Sequence, residues 1–436
     1  MANTYNFFNT ASLSINNIIK GPATFTVLLA AILITIPMNF AYGSIACIIF
    51  LLYTFASVRR GSFTVNKTLL LPMALYVLMA LSLLWTGDFD ATLSGLRKEL
   101  LLLVMPFAFL FIPNLTKETL SNVFRIYGFA MVGYALYFGL MALVRYVKSG
   151  NKEVFFYHDL VSIELNAIYV AVFASFALFY FVSLRSKKTI DRAAIFILAI
   201  FVFMLSSKSI IFIDFLLIIV YYIYFLDTPR SIKVLTILAV SAFLVFSMLF
   251  VKQVRERFMI EYETAFVDNT PNRSMPTVDN ISLRQAWSSD SFTPNHFFPG
   301  GALRVYQIRI FGEMLAENNI LFTGFGLEAS QPWIKEKERE HNLYQGYGDY
   351  NFHNQYIQTF AELGIFGLLI LVAMLFLNLK KALADRNFLH IVFAVTMIVL
   401  FLTESFFCRQ RGVIFFIAMY CMFNVVRPHL QRANIQ

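Results

Sequence analysis

Charge and cysteine are both scarce in this chain. Only 14% of its 436 residues are Asp, Glu, Lys or Arg, whereas 58% are hydrophobic, with 49 phenylalanines and a mean hydropathy of +0.67. A composition this apolar excludes an ordinary soluble domain and indicates a polytopic membrane protein. The three cysteines, Cys47, Cys408 and Cys421, stand apart from one another in or near apolar runs, which suggests neither a disulfide framework nor a metal site. No Gly-rich phosphate loop occurs, and no internal repeat of the kind that builds many transporters. The apolar runs are continuous, not alternating in segments of about ten residues, so a membrane β-barrel is excluded as well.

Those runs, each about 15 to 22 residues long, are suited to cross a hydrocarbon core of ~30 Å as helices. They lie near 24–41, 43–57, 68–85, 99–113, 123–144, 164–184, 193–207, 209–226, 233–251, 356–377, 389–407 and 412–426. The fold class expected is therefore all-α and polytopic, with about twelve transmembrane helices. The first run carries no small-residue cleavage site and reads as a retained span. Basic residues of the short loops set the orientation. Arg59, Arg60 and Lys67, then Arg185, Lys187, Lys188 and Arg192, then Arg230 and Lys233, then Lys380, Lys381 and Arg386 all fall on one side. Lys20 at one end and Arg427 and Arg432 at the other join them, so both termini are expected to be cytoplasmic. The net charge of +9 then reflects topology and attraction to anionic membrane lipids, with no reason to invoke nucleic acid.

The chain divides into helices over 1–251, a large polar insert on the outer face over 252–352, and a final helical part with its tail over 353–436. A loop of that size is usually functional. Its early part, "DNTPNRSMPTVDNISLRQAWSSDSFTPNHFFPGG", has the turn chemistry of irregular surface chain. "LRVYQIRIFGEMLAENN" carries apolar residues at helical spacing and is followed by "ILFTGFG" with two glycines, so an amphipathic helix is expected there. "KEKEREHN" reads as a solvated helix face.

Basic residues on the outer side break the orientation rule and are the informative ones: Arg97, Lys98, Arg145, Lys148, Lys152, Lys208, Arg304, Arg309, Arg409 and Arg411. An arginine at the edge of a membrane bundle is expensive unless paired or facing a wet cavity, and guanidinium forks match phosphate oxygens. For each taken singly, snorkelling to lipid headgroups is the alternative. Lys208, in "MLSSKSIIF", has almost no loop through which to escape and is expected to face a polar cavity. On the outer face no nucleotide is available, so a synthetic reaction there must use a substrate already activated, such as a lipid-linked diphosphate. The basic cluster would hold it.

"NFHNQYIQTFAELGIFGLL", residues 351–369, places a histidine at the edge of an apolar run. Its core resembles the His-Asn … Glu-x-Gly-x-x-Gly signature of the O-antigen ligase and polymerase superfamily. "LRVYQIRIFGEMLAENNILFTGFG" is similar to the Arg-led segment that precedes it in that family, "SSKSIIF" to its Ser-Arg element with Lys208 in place of arginine, and "LWTGDFDATLSGLRKELLLLVMPF" has its texture. The resemblance implies a glycosyltransferase of the GT-C type that moves glycan from undecaprenyl diphosphate to an acceptor hydroxyl without metal or nucleotide. It implies His353 as the catalytic histidine, Arg304 on the diphosphate and Lys208 in the place of a second arginine. Arg304 lies further from the Gly-x-Gly than the family pattern, which keeps Arg309 a candidate. Asn354, Arg97, His158 and Arg409 are possible supporting residues.

Within the superfamily a ligase acting on lipid A-core is preferred, because one large outer loop and one modest loop are present. A polymerase, an O-linked protein oligosaccharyltransferase and a lipid-linked sugar transporter are the alternatives. Asp88 and Asp90 imitate a metal-binding Asp-x-Asp, yet no metal or other cofactor is expected. Glu404 is expected to pair internally with Arg409 or Arg411. Gly364 and Gly367 are read as packing positions, and Asn351, Gln355 and Gln358 either as sugar ligands or as interfacial polar residues. His296, His341, His390 and His429 receive no role.

Overall fold

Each of the twelve apolar runs coincides with a helix in the computed structural model, which describes residues 22–426 apart from 59–62, 64, 113–114, 162–164 and 274. Lys20, Arg59, Arg60, Arg427, His429 and Arg432 lie outside the described residues. In chain order the helices are α1 (Pro22–Thr35), α2 (Phe40–Ala56), α3 (Lys67–Leu81), α4 (Phe89–Glu99), α5 (Leu101–Phe109), α6 (Lys117–Ser149), α7 (Ala167–Ser183), α8 (Thr189–Leu205), α9 (Lys208–Tyr224), α10 (Arg230–Phe250), α11 (Lys252–Phe266), α12 (Gly300–Glu317), α13 (Gln331–Glu340), α14 (Gln355–Ala384), α15 (Phe388–Leu400) and α16 (Gln410–Val425). The stretches Lys67–Leu84, Lys117–Ser149 and Gln355–Ala384 are long and apolar enough to cross a membrane, and α1, α2, α7, α15 and α16 are shorter apolar helices.

Asparagine starts many of these helices. The side chains of Asn39, Asn66, Asn166, Asn354 and Asn387 each accept a hydrogen bond from a backbone N–H of the first turn, offsetting donors the helix cannot satisfy itself. Where the helices face outward they do so with apolar stripes: Ile45, Ile48, Ile49 and Leu52 on α2, and Leu136, Tyr137, Leu140 and Leu143 on α6. Those spacings put each set on one helix face, the arrangement of a helix bathed in lipid. By contrast α7 and α16 are buried along nearly their whole length, and phenylalanines fill the space between them, as where Phe173 meets Phe415 at 4.9 Å and Phe176 meets Phe423 at 6.1 Å between ring centroids. A helix apolar on all sides belongs at the centre of a bundle.

The insert has an apolar core of its own, built from Phe292, Phe298, Tyr306, Ile310, Met314, Ile334 and Phe352 among others. The expected amphipathic helix is α12, with Ala302, Tyr306, Ile310 and Met314 on its buried face. The chain before it is more ordered than its turn-rich texture suggests. It contains α11, a short helix at Leu283–Ser288, and a small sheet in which Thr270–Pro271 pairs antiparallel with Asp279–Asn280, which pairs parallel with His296–Phe297. The charged stretch is not simply solvated either. Lys337 on α13 is only 4% exposed and lies 2.7 Å from both Glu317 and Glu340, because its stem covers the core while carboxylates of α12 and α13 meet the ammonium. His341, given no role from the sequence alone, is buried and meets the Tyr306 hydroxyl at 3.0 Å through Nδ1 and Glu313 at 3.4 Å through Nε2.

Insert and bundle are joined backbone to backbone. α14 is broken at Gly364, whose φ of +66° and ψ of −166° leave the helical region. The carbonyls of Ala361 and Glu362 accept from Phe325 and Gly326 N–H at 2.8 and 2.9 Å, and Ile365 N–H donates to Leu321 at 2.8 Å. A side chain on Gly324 would collide with the backbone of Glu362, and one on Gly364 with that of Phe322. Gly364 is therefore more than a packing position: it opens the helix so that the Gly-Phe-Gly loop can complete its hydrogen bonds.

Gly324→Ala is expected to lose about 2 kcal/mol or more of stability, since it combines strain at φ +66° with a backbone clash. Gly139→Ala on α6, with open space around it, should leave the melting temperature in detergent unchanged. A pH dependence follows from His341. Burial, with the Arg309 and Lys337 charges, holds its imidazole below the ordinary value of 6.5 against the pull of Glu313 and Glu340. The unfolded chain then binds more protons, so stability present above about pH 6.5 is lost as pH falls through the folded-state value. Hydrogen-exchange protection of α13 should drop as pH falls below about 6.5, and His341→Gln should flatten that drop.

Candidate functional site

Three of the sequence candidates meet where the insert joins the bundle. Lys208 is the first residue of α9, Arg304 sits one turn into α12, and His353 immediately precedes the cap of α14. They are brought together through two carboxylates. Lys208 Nζ lies 2.6 Å from Glu261 Oε1 of α11, and the other oxygen of that carboxylate accepts from Gly301 N–H at 2.9 Å. Glu261 thus sits against the N-terminus of α12, where free N–H groups and the helix dipole both favour an anion. One turn on, Arg304 donates from Nε to the Thr403 carbonyl at 2.9 Å, from Nη1 to Gly300 at 3.0 Å, and from Nη2 to Glu404 Oε1 at 3.0 Å. Glu404 Oε2 in turn stands 3.8 Å from His353 Nδ1.

Glu404 is the residue that sequence reasoning misplaced. It was expected to pair with Arg409 or Arg411 and instead bridges Arg304 and His353, with its side chain 7% exposed. Arg411 donates to the carbonyls of Ile36 and Met38 and lies over the Phe40 ring at 4.0 Å. The only available signal was an acidic residue at the end of an apolar run facing a basic cluster. Glu261, in "VRERFMIEYETAF", carried none.

His353 itself is held under strain. Its φ is +45°, a conformation rare for a residue with a side chain, and its N–H donates to Asn351 Oδ1 at 2.9 Å. Nδ1 is buried without a hydrogen-bond partner, while the side chain as a whole is 26% exposed. Backbone strain of this kind, about 1–3 kcal/mol, persists where the surroundings over-determine a position and clusters at functional sites.

The surroundings are a polar clasp between residues 351–358 and the loop after α15. Asn354 Oδ1 caps α14 by accepting from Tyr356 and Ile357 N–H, its Nδ2 donates to Leu402 at 3.3 Å, and its own N–H donates to Ser405 Oγ at 3.1 Å. Gln355 N–H donates to Phe401 at 2.8 Å and its Oε1 accepts from Phe407 N–H at 2.7 Å. Gln358 accepts from Phe352 N–H and donates to Glu362 at 2.6 Å. Gln355 and Gln358 are thus internal braces, not free sugar ligands or solvated interfacial groups. They fix the loop carrying Thr403 and Glu404 against His353.

The remaining candidates fall into two groups. Arg309 does not join Arg304. Five residues along α12 it points elsewhere, donating to Glu313 at 2.7 Å and to the Ser289 carbonyl at 2.6 Å. Arg97 is exposed at the end of α4, without a hydrogen bond or ion pair among the described residues, while its neighbour Lys98 pairs with Glu328. Asp88 caps α4 through Ala91 N–H at 2.9 Å, a structural use for the imitated metal motif. His158 and Arg409 instead line one cavity of about 530 Å³ together with Asn39, Phe40, Asn166 and Arg411. Its charged lining is all cationic, and the Arg409 side chain has no hydrogen bond or ion pair among the described residues. Burial, then the charge of Arg257, lowers the His158 imidazole from its ordinary value, while Asp159 and Glu404 pull the other way. Tyr169, which also lines this cavity, donates from its hydroxyl to the Ser405 and Phe406 carbonyls at 3.5 and 3.2 Å, so the cavity abuts the loop that carries Glu404.

Asn354→Ala should lower stability by about 1–2 kcal/mol through loss of the α14 cap and free the 401–409 loop as well. Faster hydrogen exchange at Phe407 and Leu402 than in the parent would show the second effect; unchanged exchange there would mean the clasp is held without Asn354.

Residues 193–372, from α8 to beyond the middle of α14, match the family described as O-Antigen ligase. The resemblance to the O-antigen ligase superfamily therefore holds over the part of the chain that carries Lys208, Glu261, Arg304 and His353. No curated protein matches the chain.

Proposed function

From the premise that the chain is related to the O-antigen ligase superfamily through residues 193–372, we propose that it is the ligase itself. It is a multi-pass GT-C-type glycosyltransferase of the bacterial inner membrane, with both termini cytoplasmic and its site at the periplasmic face. It moves glycan from undecaprenyl diphosphate to a hydroxyl of lipid A-core without metal or nucleotide. The observation that carries this reading is the meeting of two cations and a histidine, Lys208, Arg304 and His353, at one end of the helices whose other ends bear Arg185, Lys187, Lys188, Lys380 and Lys381.

The chemistry needs little more. The donor diphosphate binds between Lys208 and Arg304, the latter offering a fork to two oxygens and the former a point charge. The acceptor hydroxyl reaches the anomeric carbon from the side of the Arg409–His158 cavity, where asparagines and an aromatic face suit a sugar. His353 takes the hydroxyl proton as the new C–O bond forms. The bond from the anomeric carbon to the phosphate oxygen breaks, and its electron pair leaves with undecaprenyl diphosphate, whose developing charge the two cations offset.

The test is transfer from glycan-loaded undecaprenyl diphosphate to purified lipid A-core in detergent, with and without chelator. The parent should modify the core lipid in both conditions, His353→Ala should lose about 10²-fold or more in turnover, and Arg304→Ala a similar amount. A folded parent that lengthens the donor glycan and leaves lipid A-core untouched would establish a polymerase instead.

A further inference from the structure

Glu404 contacts both functional groups of the site through different oxygens. Oε1 accepts from Arg304 Nη2 at 3.0 Å, and Oε2 lies 3.8 Å from His353 Nδ1, just outside hydrogen-bond reach. That Nδ1 is buried and has no partner, an expensive state for a polar atom in a dry site. The carboxylate satisfies the guanidinium and leaves the imidazole wanting. A shift of about 1 Å would reverse the assignment, bringing Oε2 to Nδ1.

We propose that Glu404 is a positioning residue that alternates between these two partners, in a role that rests on the transfer reaction assigned above. In the empty site it occupies Arg304 in place of a donor phosphate oxygen. When the diphosphate takes the guanidinium, Glu404 turns to His353 and accepts the Nδ1 proton in a hydrogen bond. That fixes the tautomer with Nε2 unprotonated toward the acceptor. As the acceptor oxygen bonds to the anomeric carbon, its proton passes to Nε2, and the imidazolium so formed is held by the carboxylate while the diphosphate departs with the electron pair. After product release the Nε2 proton goes to water and Glu404 returns to Arg304. Donor binding therefore arms the histidine, and an enzyme without donor lacks an oriented base. The surroundings suit such a swing. Thr403 holds Arg304 by its backbone carbonyl, and the loop is fixed by Asn354 and Gln355, so only the Glu404 side chain has to move.

The role predicts a split that a merely structural ion pair would not give. Glu404→Gln removes the competitor for Arg304 and the orienting charge on His353 together. Purified in detergent, it should bind undecaprenyl diphosphate about threefold or more tightly than the parent, while its turnover falls about tenfold or more. His353→Gln should lose transfer and bind the donor no more tightly than the parent, because Glu404 still competes for Arg304 and no longer has His353 to turn to. Tighter binding cannot come from a misfolded variant, so the gain also serves as the folding control. An active parent whose Glu404→Gln variant binds no more tightly, or turns over undiminished, overturns the proposal. A folded parent that binds the donor and forms no transfer product overturns the reaction, a separate result.

Discussion

Charge compensation at the edge of the bundle is the constraint on which this site depends. Lys208 and Arg304 are each about 70% buried at their side chains, and each is held by one carboxylate. Removing one partner from a buried pair leaves an uncompensated charge and costs about 3–5 kcal/mol. The pairs do not simply hold the fold together. Glu261 also receives Gly301 N–H and so ties α9, α11 and the start of α12 at one point, and Glu404 ties α12 to the loop after α15. Three segments distant in sequence converge because acid and base must meet where water is scarce.

A second tie, made without charge, sets the height at which that convergence occurs. The Gly-Phe-Gly loop enters α14 at Gly364 and is held from the other side by Trp85 Nε1 on the Thr323 carbonyl at 2.9 Å and by Thr92 Oγ1 on Leu327 at 2.8 Å. α12 leads into this loop, so Arg304 cannot slide relative to His353 without breaking hydrogen bonds to the loop backbone at both places.

Helices were the legible part of this protein, because a continuous apolar run is its own signal, and asparagine or glycine at the ends marks where it stops. That His353, Arg304 and Lys208 were candidates was legible through charge at an improbable location together with a family resemblance. What stayed hidden was every relationship between segments. Glu261 and Glu404 look like ordinary acids in the chain, Arg309 looks as eligible as Arg304 although α12 turns it toward Glu313, and Lys337 looks solvated until the core beneath it is seen. Partners are chosen by tertiary packing, which local pattern does not carry. The histidine's left-handed backbone was equally hidden, since nothing but its surroundings holds it there.

The opening of α14 at Gly364 has a consequence for biogenesis. Ala361 and Glu362 offer carbonyls to Phe325 and Gly326, and Ile365 N–H donates to Leu321. In hydrocarbon an unanswered backbone group costs several kcal/mol, so a broken helix is tolerated there only when protein covers it. The segment around Gly364 therefore cannot reach its final shape as it leaves the insertion machinery. It must either pass through an unbroken helical form or wait until the preceding hundred or so residues have folded. Folding of the insert thereby becomes a checkpoint for assembly of the C-terminal helices, and a chain whose insert misfolds is left with an exposed, unsatisfied helix break for quality-control proteases to find.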